Sequence, residues 1–412
     1  MGPQPELDLQ LELEWGLIER AKMKGIDKSQ SIKQWTVGSA SLPEVLCVIG
    51  ARPNYMKMAP LLEAFARAQP RVPTRLVHTG QHYDMAMNDQ HFQALDLPMP
   101  EIALGVGSGS HAVQTAEIMR RFEPVVDEFA PGAVLVVGDV NSTVACALVA
   151  AKKGVPVFHV EAGLRSFDRT MPEEINRVLT DQLAELLFTT EAAAAENLAR
   201  EGISMERVHF AGNVMIDSVL RHIPRAIPAD QTLSGQCLSG YALVTLHRPS
   251  NVDDPEILCR LLQTLAELAE RLPVVFPVHP RTRARVEAIG QQGWFAQPGV
   301  HALPPLDYLA MLGLLREARC VLTDSGGLQE ETTALGIPCL TLRENTERPI
   351  TVEQGTNTVV GTDSARILAN VEQILASGGK SGRVPERWDG HAAERIAKEV
   401  ALWLKKRQRR TA

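Results

Sequence analysis

Short apolar runs and amphipathic stretches alternate along most of the chain. Apolar runs at Val45–Ile49, Arg75–His78, Val134–Val137, Val155–Phe158, Leu186–Thr189 and Val208–Phe210 predict strands. Stretches such as Ala59–Ala68, Ala112–Phe129 and Ser142–Lys153 carry helical spacing between them. Ile223–Ser239, with two prolines and a glycine, reads as a loose linker, after which the pattern restarts. The second series is Ala242–Leu246, Val274–Val278, Cys320–Thr323, Cys339–Thr341 and Thr358–Val360. Alternation of this kind predicts an α/β fold: two Rossmann-like domains facing a cleft, with parallel sheets and helices on both faces. The expected organisation is an N-terminal extension over 1–40, a first domain over 41–222, a second over 223–385, and a C-terminal helix over 386–412 packing back on the first domain.

Composition narrows the function classes. The 412 residues are 45% hydrophobic and 22% charged, as in ordinary globular proteins. A net charge of −7, with no basic stripe before the tail KKRQRR, argues against nucleic-acid binding. The six cysteines lack metal-site spacing and mostly sit in apolar runs, as expected of reduced thiols in a cytoplasmic protein. The first residues lack the basic and apolar regions of a signal peptide, and Glu6 stands where a myristoylation signal has Ser or Thr. No apolar run is long enough to span a bilayer, so no membrane partner is expected.

Chemistry gathers at the ends of the expected strands, where ligands of open parallel sheets bind. Asp139 follows one strand, Glu161 the next, and Glu173 opens a helix just after Pro172, with Arg165 and Arg177 close in sequence. Clustered acids beside cations suit proton transfer on an anionic substrate. The first strand ends in Gly50-Ala51-Arg52-Pro53, with Lys57 in the following helix. It lacks G-x-G-x-x-G, which removes the best argument for NAD. Arg52 and Lys57 read either as phosphate and sugar ligands or as surface cations. Gln81 lies in the His-Thr-Gly-Gln-His run, and His91 and His111 follow without zinc spacing.

In the second series His247-Arg248 and His279-Pro280-Arg281 end successive strands, facing a pyrophosphate in one reading and serving as structural histidines in the other. The run Thr323-Asp324-Ser325-Gly326-Gly327 enters a helix. There glycine lets backbone N–H groups approach an anion, and Ser325 can both cap the helix and donate to phosphate. Glu331, a turn later, can accept from ribose hydroxyls. The charged loop 343–349 ends in Arg348-Pro349 and reads as ion pairing or as a wall of the nucleotide site.

These residues together resemble the non-hydrolysing UDP-N-acetylglucosamine 2-epimerases. GARP with Lys57, TGQH, GDVNST, HVEAGLRS, MPEEINR, GNVMID, TLHR, PVHP, TDSGGLQEE and ENTERP occur in the family's order from about Val45 to Thr362. The resemblance implies a GT-B-like fold, a homodimer, and no cofactor or catalytic metal. It implies UDP-sugar held by Arg52, Lys57, Arg165, His247, Met311, Ser325, Gly326, Gly327, Glu331 and Arg348. Its catalytic set is Asp139, Glu161 and Glu173, supported by Lys57, Arg177 and His247. The family reaction eliminates UDP to a 2-acetamidoglucal and adds it back with C-2 inverted, supplying surface polysaccharide synthesis.

Two departures stand out. Met311 occupies the place of an aromatic residue over the uracil, and the run after Gln81 is altered, leaving Gln81 and His279 of an activator site. Both features, with His-Pro-Arg-Thr-Arg, resemble a branch acting on a UDP-diacetamido uronic acid sugar, whereas ENTERP resembles the ordinary branch. A hydrolysing epimerase, a GT-B glycosyltransferase and a non-catalytic sugar-nucleotide sensor are the rival classes. The last loses ground because all three acids are present.

Overall fold

The computed structural model describes residues 42–80, 92 and 95–411. The expected extension over 1–40 therefore lies outside the described residues, as does Gln81 and the side chain of Arg52. Two all-parallel sheets carry the chain. The first has seven strands in the order β3-β2-β1-β4-β5-β6-β7: Val45–Ile49 (β1), Thr74–His78 (β2), Ile102–Ala103 (β3), Ala133–Val137 (β4), Val157–Ala162 (β5), Leu186–Thr189 (β6) and Val208–Phe210 (β7). The second has six in the order β10-β9-β8-β11-β12-β13: Ala242–Thr245 (β8), Val274–Pro277 (β9), Val300–Leu303 (β10), Cys320–Thr323 (β11), Cys339–Thr341 (β12) and Asn357–Val359 (β13).

The central strands β1, β4 and β5 are buried along their whole length, which is why they read as unbroken apolar runs. The two strands that the sequence pattern did not reveal are sheet edges. β3 has only two residues and β10 is half-buried throughout, so neither needs a continuous apolar run. β5 begins later than the expected Val155 and continues through Glu161 to Ala162. The linker is also more ordered than its composition suggests, with a 3-10 turn at Ile223–Arg225 and a helical turn at Ala229–Thr232.

Proline sets many helix starts. Helices Pro172–Leu183, Pro255–Ala269 and Pro280–Ala288 each begin with it, where its missing N–H is not needed. One apolar cluster runs from the first sheet through Val214 and Val219 to Leu312, Leu328 and β8, so the halves share buried surface. The last helix, Ala392–Thr411, buries Ala392, Ile396, Val400 and Leu404 at fourfold spacing in that cluster. Trp403 meets Phe158 edge-on at 5.1 Å. The stretch before this helix is tied down by Trp388, whose indole N–H donates to the Thr190 carbonyl at 3.0 Å. Asp217 accepts from the backbone N–H groups of Ala392 and Ala393 at the helix start. Among the described residues no helix is long and apolar enough to cross a membrane. All six cysteines are free, and burial pushes the thiols of Cys320 and Cys339 up to about 12.

Gly212 and Gly235 separate two uses of glycine. Both have positive φ, 95° and 85°. A Cβ at Gly212 would lie 2.1 Å from the Arg387 carbonyl oxygen of the returning segment, whereas one at Gly235 meets nothing within 4 Å. We expect Gly212→Ala to cost about 2–4 kcal/mol, from backbone strain plus overpacking, and Gly235→Ala about 1 kcal/mol. Thermal unfolding of the two variants checks this; equal losses would show that the returning segment does not press on Gly212.

Candidate active site

The carboxyl ends of both sheets meet, and side chains from each complete one charged cluster. Glu161 is its centre. It occupies a bulge in β5, where the register with β6 skips from Val160 to Ala162, and its φ is 75°. A non-glycine residue in that region is strained, and such strain concentrates at functional sites. The bulge turns the Glu161 side chain out of the pleat. One carboxylate oxygen pairs with Lys57 Nζ, from the helix Arg52–Arg67, and the other with Arg348 Nη2, from the loop after β12. The side chains of all three are 7% exposed or less. Arg348 Nε also pairs with Glu330 Oε1 at 2.7 Å, so one guanidinium joins a first-half acid to a second-half acid. Gly138 turns the chain beside the cluster with a φ of 68°, a conformation that favours glycine.

Asp139 follows Gly138 and binds Arg177 through Nη2 and, at 3.2 Å, Nε. Arg177 Nη1 reaches Glu174 at 2.5 Å. Burial alone would raise the Asp139 carboxyl, but Arg177, Lys57 and Arg348 outweigh it and hold it at about 2. Its pairing with Arg177 therefore favours the ionised form of Asp139. Glu173 is more open, 36% exposed, with Arg248 Nη1 of the second half at 3.6 Å. Glu191, just beyond β6, is buried without a partner for Oε2. Burial pushes it up to about 7, against the opposing field of Arg348.

The second half offers a site for an anion. Buried Asp324 accepts from the backbone N–H groups of His247 and Arg248, each at 2.9 Å, and pairs with His247 Nδ1 at 2.8 Å. That leaves Nε2 as the His247 nitrogen available to a ligand. Burial works against the Asp324 carboxylate, yet His247 and the two backbone donors keep its carboxyl below its usual range. Ser325 is the N-cap residue of helix Gly326–Leu335, but its side chain makes no capping bond, contrary to the sequence expectation. Its backbone N–H donates instead to Thr323 Oγ1 at 2.9 Å. Gly326 and Gly327 differ. A Cβ at Gly326 would meet Glu347 Oε1 at 2.6 Å, while at Gly327 the nearest atoms are 3.8 Å away, open enough for an approaching anion. In the charged loop Glu347 pairs with Arg343 at 2.8 Å and with Arg248 at 3.4 Å. Burial is outweighed there by Arg348, Arg343 and Arg248, which hold Glu347 at about 2.

The structure thus brings together Lys57, Asp139, Glu161, Glu173, Arg177 and Arg348, and on the facing side His247, Ser325, Gly326 and Gly327. It does not bring Arg165 into the cleft. Its side chain is 1% exposed and engaged with Glu201 at 2.6 Å, Asp181 at 2.8 Å and the Leu164 carbonyl at 2.7 Å. The sequence placed Arg165 beside the acids but could not show which way the guanidinium turned. Met311 is half-buried against the core. His279 caps helix Pro280–Ala288 by accepting from Arg281 N at 3.2 Å, and its ring lies 5.7 Å from that of His247. Glu330 and Asp324 are contributors that the sequence reading left without a role, and their only signal there was membership of the motif around Ser325. Arg248, read as facing a pyrophosphate, pairs with Glu173 and Glu347. Among the described residues no group of acids, histidines and cysteines is arranged to hold a metal ion.

Glu331 is buried, and burial together with the Glu330 charge pushes its carboxyl up to about 8. Its folded value lies above the unfolded one of about 4.3, so its neutral form is favoured in the folded state. Stability from this group is therefore greatest below the unfolded value and falls as pH rises toward about 8. Glu331→Gln, which cannot ionise, is expected to gain in melting temperature relative to the parent across that window. Parallel melting curves over the window would contradict the assignment.

The geometry can be set beside known proteins. The family model described as UDP-N-acetylglucosamine 2-epimerase matches residues 65–401. A UDP-N-acetylglucosamine 2-epimerase of Methanococcus maripaludis is 40% identical over 337 residues, 80% of this chain and 91% of that one. A UDP-2,3-diacetamido-2,3-dideoxy-D-glucuronate 2-epimerase of Pseudomonas aeruginosa is 40% identical over 363 residues, 87% of this chain and 99% of that one. The crystal structure of the Methanocaldococcus jannaschii UDP-GlcNAc 2-epimerase in complex with UDP-GlcNAc and UDP superposes with a TM-score of 0.81. It is 37% identical and covers 87% of this chain and 99% of its own. With two parallel sheets, buried acids where their carboxyl ends meet and these matches over most of its length, the chain belongs to the UDP-N-acetylglucosamine 2-epimerase family.

Proposed function

We propose that this protein interconverts UDP-GlcNAc and UDP-ManNAc by eliminating UDP and adding it back, supplying surface polysaccharide synthesis. The observation that carries the reading is the Lys57–Glu161–Arg348 cluster, which sets a buried acid from one half against the anion-binding turn of the other. The pyrophosphate sits against the N–H groups around Ser325, Gly326 and Gly327, beside His247, and Glu331 takes the ribose, with Arg52 added to the pyrophosphate ligands on the family resemblance alone. Met311 lies over the uracil.

In the forward step one carboxylate removes the C-2 proton, the C-1–oxygen bond breaks, and UDP leaves as the C-1–C-2 double bond forms. The cations and backbone donors of the second half take up charge on the departing phosphate. UDP stays bound, its oxygen returns to C-1, and a proton is delivered to the opposite face of C-2. Inversion requires proton carriers on two faces, and Asp139, Glu161 and Glu173 approach from three separate elements. Asp139, held ionised by Arg177, fits a fixed anion or acceptor better than a donor. Arg177 and Lys57 favour the ionised Asp139, and Lys57 also pairs with Glu161. The family resemblance supports a cytoplasmic homodimer without a cofactor, and Gln81 and His279 as remnants of an activator site.

A second reading is the same inversion on a UDP-2,3-diacetamido uronic acid. It is supported by the Pseudomonas aeruginosa relative, as similar in identity and matched over nearly its full length.

A proton NMR time course in heavy water with each sugar nucleotide tests both readings. We expect a UDP-ManNAc anomeric signal carrying deuterium at C-2, and Glu161→Gln to slow its appearance by about 10²–10⁴-fold. Turnover of only the uronic acid sugar would replace the first reading by the second. A silent spectrum with both sugars and folded protein would overturn the epimerase reading.

A further inference from the structure

His159 is fully buried in β5, two residues before Glu161. Its Nε2 lies 2.8 Å from the Gly138 carbonyl oxygen and its Nδ1 2.6 Å from Asp181 Oδ1. A carbonyl oxygen only accepts, so Nε2 carries a hydrogen. The second contact is to a carboxylate whose other oxygen, Oδ2, already accepts from the Gly163 N–H at 3.1 Å and pairs with Arg165 Nη2 at 2.8 Å. A guanidinium and a peptide N–H on that oxygen favour the ionised carboxylate. Asp181 then accepts at Oδ1 as well, and Nδ1 carries a hydrogen too. Arg165, His159 and Asp181 are fully buried together, and the partly exposed Glu201 takes the other side of the Arg165 guanidinium. His222 is the contrast within the same molecule. It is equally buried, but Nδ1 faces the Ser218 carbonyl at 2.8 Å and Nε2 has no partner, so one hydrogen satisfies it.

We infer that His159 is a buried imidazolium and a positioning residue for the carboxylates, acting through the Gly138 carbonyl. Gly138 turns the chain out of β4 with φ of 68°. Its N–H donates to the Val160 carbonyl at 3.1 Å, and its carbonyl accepts from His159. Both ends of this one peptide turn are therefore pinned to β5 on either side of the residue preceding Glu161. That fixes where Asp139 starts relative to Glu161. The same arrangement explains Arg165: its guanidinium holds Asp181, Asp181 holds His159, and His159 holds the turn. The positioning role rests on the proposed reaction; the charge state rests on the hydrogen bonds alone.

Nitrogen-15 NMR of the full chain with labelled histidine separates the two claims. The chain has 11 histidines. One ring is expected to show a directly bonded, slowly exchanging proton on both nitrogens, as two buried N–H donors require, and that signal is expected to vanish in His159→Gln. The absence of such a ring, or its survival in folded His159→Gln, overturns the charge assignment. Should that variant not fold, neutron diffraction of the parent decides: deuterium on both His159 nitrogens supports the inference and deuterium on one overturns it. For positioning, folded His159→Gln is expected to lose at least about tenfold in kcat with little change in KM, as a misplaced acid would. An unchanged kcat overturns that role and leaves the charge state standing. Inactivity of the parent on every sugar nucleotide would instead count against the proposed reaction.

Discussion

Everything in the cleft depends on one buried acid being paired from two directions. Glu161 is almost inaccessible to water, and an isolated carboxylate there would cost many kcal/mol. Lys57 offsets that cost from the same half and Arg348 from the other. Removing either cation would leave the buried Glu161 with one partner and one oxygen unpaired, which weakens that compensation. The interaction therefore joins the halves through their most reactive point. Glu330 extends it, because Arg348 cannot serve Glu161 without also serving Glu330.

The surrounding charges follow from that constraint. The acids around the site differ by environment: Arg177, Lys57 and Arg348 hold Asp139 below the usual carboxylate range, while burial lifts Glu191 and Glu331, which lie outside the proposed proton carriers, above it. In the proposed reaction the leaving pyrophosphate is met from the opposite side by backbone N–H groups and by His247, oriented through Asp324. Chemistry at C-2 and departure from C-1 then fall to different halves.

Much of this was legible in the sequence, for physical reasons. The strands β1, β4 and β5 are buried on both faces and so appear as unbroken apolar runs, and the acids stand where those runs end. The edge strands β3 and β10 were not legible, because an edge needs no continuous hydrophobic run. Arg165 shows the limit for side chains. Its place in the sequence matched a ligand, but Asp181 and Glu201 turn it into the frame. The pairing of Glu161 with Arg348, 187 residues apart, was equally invisible, since no local pattern reports a contact made across two sheets. Nor does periodicity reveal the bulge that places Glu161 at positive φ.

The most direct test of the account is a double-mutant cycle on kcat with Glu161→Gln, Arg348→Gln and the pair. If Arg348 acts by holding Glu161, the double variant should be about as slow as the slower single one, because the second change removes nothing further. If the losses multiply, for example about 10³-fold and about 10²-fold combining to about 10⁵-fold, the two residues act independently. The cross-half pair would then not be the interaction on which the site depends.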